Sequence, residues 1–171
     1  RPLKPDHLGE LLLEAGYALV YIDYRLAPET KLPEILADVR DAHNWVREKG
    51  PGLFGANPKR LATMGGSAGG YLTLAAGYIV NPRPRALVSF YGYGDIAGKW
   101  YSEPDQHYLK QVEPITEEQA WSVVEKKPLT EPPKGKELTR LKFYYYCRQQ
   151  GLWPREVTGF DPHTQDAEFD P

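Results

Sequence analysis

The sequence is poor in cysteine, with Cys147 the sole example among 171 residues. An internal disulfide is therefore excluded, and no Cys/Cys or Cys/His spacing suited to a structural zinc is present. Long apolar runs are missing as well. Windows such as Ala18–Ile22 are strand-sized, far short of the ~20 residues a helix needs to cross a bilayer. Nor is there an excess of one charge, since 21 Lys and Arg face 23 Asp and Glu. That balance argues against the extended basic face that nucleic acid or an anionic membrane requires. Small, uncharged molecules are the expected partners. Phosphate-binding glycine loops are also absent: no G-x-x-x-x-G-K-[ST] occurs, and "GGSAGG" does not align to G-x-G-x-x-G.

What is present reads as one domain, large enough to bury roughly 70% of the unfolded chain's surface. Residues His7 to Ala15 have the leucine spacing of a helix ending at Gly16, and "YALVYIDY" (Tyr17 to Tyr24) has the β-branched and aromatic content of a strand. Ile35, Val39, Ala42 and Val46 then recur at helical spacing, with Gly50-Pro51 as the expected stop. "RLATM" (Arg60 to Met64) predicts a short buried strand, Tyr71 to Val80 a helix, and "RALVSFYG" (Arg85 to Gly92) another strand. Strands alternating with helices predict parallel crossovers and an α/β sheet.

From about Gly92 the texture changes to prolines, charges and large aromatics, including Trp100, Tyr101, Tyr108, Trp121, Trp153 and the run Tyr144 to Tyr146. Glu137 to Gln150 is expected to form a helix closed by Gly151. The division expected is a core over residues 1–92, a mostly helical, aromatic-rich insertion over 93–160, and a return toward the core over 161–171.

The stretch "RLATMGGSAGGYLTLAAG" carries the chemistry. Gly65 and Gly69 frame Ser67 in a G-x-S-x-G pattern, between an apolar strand and a helix. A serine hydroxyl is a weak nucleophile, and catalysis needs it exposed, rigid and close to a base and to oxyanion donors. A sharp strand-to-helix turn with small residues at Gly65, Gly66, Gly69 and Gly70 provides the first two conditions. The first helical turn would aim free N–H groups at a developing oxyanion, that of Ala68 being nearest. The bland alternative is a tight turn that caps a helix.

Upstream stands "DYRLAPE" (Asp23 to Glu29), followed by Pro33 and "EILADVRDAHNWV". Together with "GGSAGG" some forty residues later, this string resembles the hormone-sensitive-lipase-like branch of the α/β-hydrolases, the carboxylesterases and lipases that usually show "GDSAGG". The resemblance covers roughly residues 5 to 95. It implies an α/β-hydrolase fold with a parallel central sheet, helices on both faces and a helical lid insertion. It further implies a serine hydrolase that cleaves small-molecule carboxylic esters through an acyl-enzyme, without cofactor. Ser67 would be the nucleophile and the Ala68 N–H one arm of the oxyanion hole. Asp23, Arg25 and Glu29 would fix a loop structurally, and Tyr91 and Tyr93 would be candidates for the pocket wall.

The chain departs from that pattern. Gly66 stands where an aspartate is common and Tyr71 where asparagine is frequent. The family's HGGG oxyanion loop and its acid–histidine pair find no match, so the chain is expected to be incomplete at both ends and inactive by itself. His7 and His43 precede the elbow, where the chain order of α/β-hydrolases does not place the base, and His107 falls in the insertion. A triad spelled from Ser67, Asp95 or Asp105, and His163 is not expected, because no sheet strands follow Gly92 to present it. Two other readings stand beside the esterase: a non-catalytic ligand-binding relative, and a peptidase or thioesterase on the same scaffold. The chain starts at Arg1 and not methionine, so the compartment is open, with the cytoplasm as the default expectation.

Overall fold

A computed structural model describes residues 7–164. Helix α1 (His7–Glu14) ends where the sequence places its stop, at a left-handed Gly16 with φ 82°. Helix α2 (Leu32–Phe54) begins with Pro33 in its first turn, where a missing N–H costs nothing. It turns Leu32, Ile35, Leu36, Val39 and His43 inward at three- and four-residue spacing. The expected stop at Gly50-Pro51 is overrun by one turn. Proline near a helix end removes one hydrogen bond but leaves the final turn free to form, and the helix closes at Gly55, whose N–H donates to the Gly50 carbonyl.

Strand β1 (Ala62–Gly66), helix α3 (Ala68–Ile79) and strand β2 (Ala86–Phe90) form a βαβ unit. The strands are parallel, with Ala62 opposite Ala86 and Gly66 opposite Phe90. Alternation sends Thr63, Gly65, Leu87 and Ser89 toward α3, where the Ser89 hydroxyl donates to the Gly70 carbonyl at 3.1 Å. The opposite face carries Met64, Val88 and Phe90, which are 42%, 43% and 41% exposed. Residues 17–24 contain no strand, against expectation. Strand propensity is realised only through a ladder partner, and the two-stranded sheet reaches no further than β1 and β2; Tyr17, Val20 and Tyr21 stay exposed.

The second half is helical, as its texture predicts: α4 (Lys99–Ser102), α5 (Gln106–Gln111), α6 (Glu117–Trp121), α7 (Leu141–Gln150) and α8 (Trp153–Thr158). Helix α7 starts four residues later than expected and ends on Gly151 in the left-handed conformation, φ 70°. The main core joins α2, α3 and this helical layer through Val39, Leu72, Ala76, Val80, Ile96 and Val157. Each large aliphatic buried there contributes about 1.5–3 kcal/mol. A smaller cluster holds Ala120, Phe143 and Cys147. No described helix is long and apolar enough to cross a membrane.

Two ion pairs pin the loop between α1 and α2. Arg25 grips Asp38 of α2 with Nε and Nη2, the latter at 2.8 Å. Glu29, whose side chain is 1% exposed, receives Arg140 Nη1 at 2.6 Å and Nη2 at 2.8 Å together with the Glu125 N–H at 2.8 Å. Burial pushes the Glu29 pKa up, but Arg140 and the backbone N–H outweigh it, and the net shift is downward. The structural role expected of Arg25 and Glu29 is met. Asp23 is exposed and holds no partner among the described residues.

Candidate active site

Ser67 sits between the end of β1 and the start of α3 with φ 55° and ψ −122°, a conformation that L residues rarely adopt. Such a backbone costs of order 1–3 kcal/mol, and the surroundings enforce it. The Ser67 N–H donates to the Phe90 carbonyl at 3.0 Å, extending the ladder one residue beyond the strand. Its own carbonyl accepts from Gly70 N–H at 2.9 Å and Tyr71 N–H at 3.1 Å, which starts the helix. The residue is thus held from both sides while its side chain is exposed.

The glycines divide the work of the turn. A Cβ on Gly65 would lie 2.5 Å from the Gly69 carbonyl oxygen, so the strand and helix approach only because Gly65 is bare. The same holds for Gly70 in α3, where a Cβ would come within 2.8 Å of the Gly92 Cα. Gly92, two residues past β2, is the partner in this contact; sequence reading marked it only as the end of a strand and not as part of the elbow. Gly69 has open space around its Cβ position. Ala68, the first residue of α3, is exposed, and its N–H has no intrahelical acceptor.

Both departures from the family pattern have counterparts in space. A Cβ on Gly66 would lie 2.8 Å from Tyr91 Oη, so that ring occupies the room an aspartate would take. Tyr91 has φ 41° and is 86% exposed. Tyr71 is buried and stacks on Tyr93 with ring centroids 4.9 Å apart, and Tyr93 meets Tyr101 of α4, also at 4.9 Å. Burial pushes Tyr93 up to about 12 and raises Tyr71 further. Of the two tyrosines expected at the pocket wall, Tyr91 lies open beside the elbow and Tyr93 is packed between two rings.

Among the described residues no histidine is hydrogen-bonded to Ser67. His43 bridges α2 and β1, with Nδ1 2.7 Å from the Val39 carbonyl and Nε2 2.8 Å from Thr63 Oγ1. Burial lowers its pKa, and the two contacts fit a neutral ring that donates through Nδ1 and accepts the threonine proton at Nε2. His163 Nε2 lies 2.6 Å from the Ser102 carbonyl. Asp105 caps α5 through the His107 N–H and pairs with the buried Arg148, and Asp95 closes a turn on Ala97 and Gly98. Among the described residues, Ser67, Asp95, Asp105 and His163 are not joined by hydrogen bonds into a triad. The end of the 161–171 return lies outside the described residues.

The profile of the alpha/beta hydrolase fold family matches residues 5–142. The chain belongs to the α/β-hydrolase family. An alpha/beta hydrolase superfamily protein from Enterococcus faecalis superposes on this α/β-hydrolase chain with a TM-score of 0.67 and 29% identity, covering 89% of this chain and 52% of that one. A Staphylococcus aureus protein of unknown function shares the fold at a TM-score of 0.65 and 23% identity, over 84% of this chain and 47% of the other. Among curated proteins, the non-reducing polyketide synthase nvfA of Aspergillus novofumigatus is 34% identical over 116 residues, which are 61% of this chain and 5% of the synthase. Lipase 2 of a Moraxella species is 41% identical over 70 residues, covering 40% of this chain and 16% of the lipase. This α/β-hydrolase chain spans about half the length of the solved relatives and a small part of the curated ones.

Proposed function

We propose that the chain carries the nucleophile elbow of a serine hydrolase that cleaves small-molecule carboxylic esters through an acyl-enzyme. The observation that carries this reading is Ser67 itself: an exposed hydroxyl on a strained strand-to-helix turn, φ 55°, in a G-x-S-x-G frame. Ser67 Oγ attacks the ester carbonyl while its proton passes to a general base, and the carbonyl oxygen becomes an oxyanion. The Ala68 N–H supplies one donor to that oxygen, and a single such donor is worth about 10²–10³ in rate. The alcohol leaves with the returned proton, and water then releases the acid from Ser67. No described histidine is hydrogen-bonded to Ser67, and His43 and His163 are engaged elsewhere, so this reading takes the base from outside residues 7–164 and expects the isolated chain to turn over slowly or not at all. Similarity to a lipase supports an ester substrate.

A fluorophosphonate probe tests the assignment. Labelling of the full-length protein at Ser67, with labelling and ester turnover both abolished by Ser67→Ala, is the expected result. Turnover that persists in the variant would overturn it. The second reading, a ligand-binding relative without catalysis, is favoured by the engagement of those same histidines, and it predicts binding without an acyl-enzyme by mass spectrometry. Ester, thioester and amide substrates compared side by side separate esterase from thioesterase and peptidase.

A further inference from the structure

Two short turns of the sequence are alike and have no part in the elbow: "NPKR" (residues 57–60) and "NPRPR" (residues 81–85), each an Asn-Pro followed by cations. They lead directly into β1 and β2. Because these strands are parallel and Ala62 faces Ala86, the two turns come side by side at the strands' N-terminal ends, joined by the Arg85 N–H donating to the Leu61 carbonyl at 2.7 Å. Helix α2 adds Arg47, which donates to the Pro82 carbonyl. The result is two adjoining cavities of about 470 Å³ and 490 Å³ that share Lys59, Leu61 and Arg85. Arg47 and Arg83 line one, and Arg60 the other.

Among the described residues, no acidic side chain lines either cavity, and none of these five cations takes part in an ion pair. The clustering occurs in a chain whose net charge is −2, so it is a local arrangement and not a consequence of composition. Lys59, Arg60, Arg83 and Arg85 are exposed, so their donors are open to an anion arriving from solvent, and no carboxylate has to be displaced first.

We propose that this basic double cavity is a binding site for a diphosphate-bearing small molecule, separate from Ser67. The separation follows from the strand: Ser67 lies beyond the far end of β1, five residues past Ala62, or about 17 Å at the rise of a strand. A diphosphate fits better than a single carboxylate because its several oxygens accept from guanidinium forks in pairs. The cavities fall within the roughly 300–1,000 Å³ typical of small-molecule sites, which favours a compact ligand over a polypeptide or a duplex.

The test is calorimetric titration of the full chain with inorganic pyrophosphate, with a nucleoside diphosphate, and with succinate, at matched ionic strength. Pyrophosphate is expected to bind about tenfold or more tightly than succinate, and Arg83→Gln/Arg85→Gln to weaken it by at least about tenfold. Tighter binding of the nucleoside diphosphate would place an organic body in the adjoining cavity, whereas equal affinity would assign the site to the diphosphate alone. Both arginines are exposed, so the variant should fold; Lys59→Gln provides a second, independent loss of affinity. Pyrophosphate binding no tighter than succinate, binding unchanged in both variants, or capture of polyglutamate without pyrophosphate would overturn the proposal.

Discussion

Ser67 concentrates two opposed demands in one residue. Its backbone is strained, yet replacing it with the one residue that tolerates positive φ removes the hydroxyl. Ser67→Gly should therefore stabilise the fold by about 1 kcal/mol while eliminating phosphonate labelling, a trade that a merely structural serine would not show; thermal denaturation and labelling read the two effects. His43 is the other residue with a sharp expectation. Its folded pKa lies below the ordinary histidine value, so the unfolded chain binds the proton more readily. The stability it contributes is complete above the unfolded pKa of about 6.5 and is lost as pH falls from there through the folded value. His43→Gln should flatten that part of the stability–pH curve, measured by urea denaturation between pH 7 and 5.

At the scale of elements, the close approach of α3 and the exit of β2 is the feature most exposed to a single methyl group. A Cβ at Gly92 would lie 2.5 Å from the Gly70 carbonyl carbon and 2.6 Å from the Tyr71 nitrogen, all backbone. Gly92→Ala should cost about 1–3 kcal/mol through overpacking, whereas Gly94→Ala, with nothing within 4 Å, should be close to neutral; paired denaturant titrations compare them. The loop between α1 and α2 depends on Glu29 in another way. Glu29→Ala leaves Arg140, only 12% exposed, without its carboxylate, and should cost about 3–5 kcal/mol in the same assay.

These elements differ in how far the sequence announced them. Helix α2 was legible because its apolar residues keep one spacing throughout, and Ser67 because glycines crowd a strand-to-helix junction. The apolar pattern alone starts α3 at Tyr71, since Gly69 and Gly70 are poor helix formers; the elbow motif was what placed the first helical turn at Ala68, and contacts of Gly65 and Gly70 with Gly69 and Gly92 hold it there. The absent strand at residues 17–24 has the right composition without a neighbour to pair with. The basic double cavity was invisible in the overall charge, because it arises from strand register, which joins residues some 25 positions apart.

Over the whole molecule, apolar surface is unevenly covered. Helix α3 packs on one side of the sheet, where Leu87 is still 37% exposed, and the other side presents Met64, Val88 and Phe90; Leu8, Leu11 and Leu13 of α1 are also open. Exposed apolar area with unpaired strand edges invites association. The chain by itself should bind a hydrophobic dye in its folded state and form concentration-dependent oligomers, checked by dye fluorescence and light scattering. A dye-silent monomer with a sharp cooperative melt would contradict this.

The row of rings Tyr71, Tyr93 and Tyr101 crosses from the elbow helix into the helical second half, and Arg148 extends it, its guanidinium 4.1 Å from the Tyr101 centroid. Phenol rings packed this closely in a fixed chiral arrangement share their electronic excitation. The protein therefore contains its own optical gauge, a near-ultraviolet circular dichroism signal that reports the seating of one half on the other without any attached label.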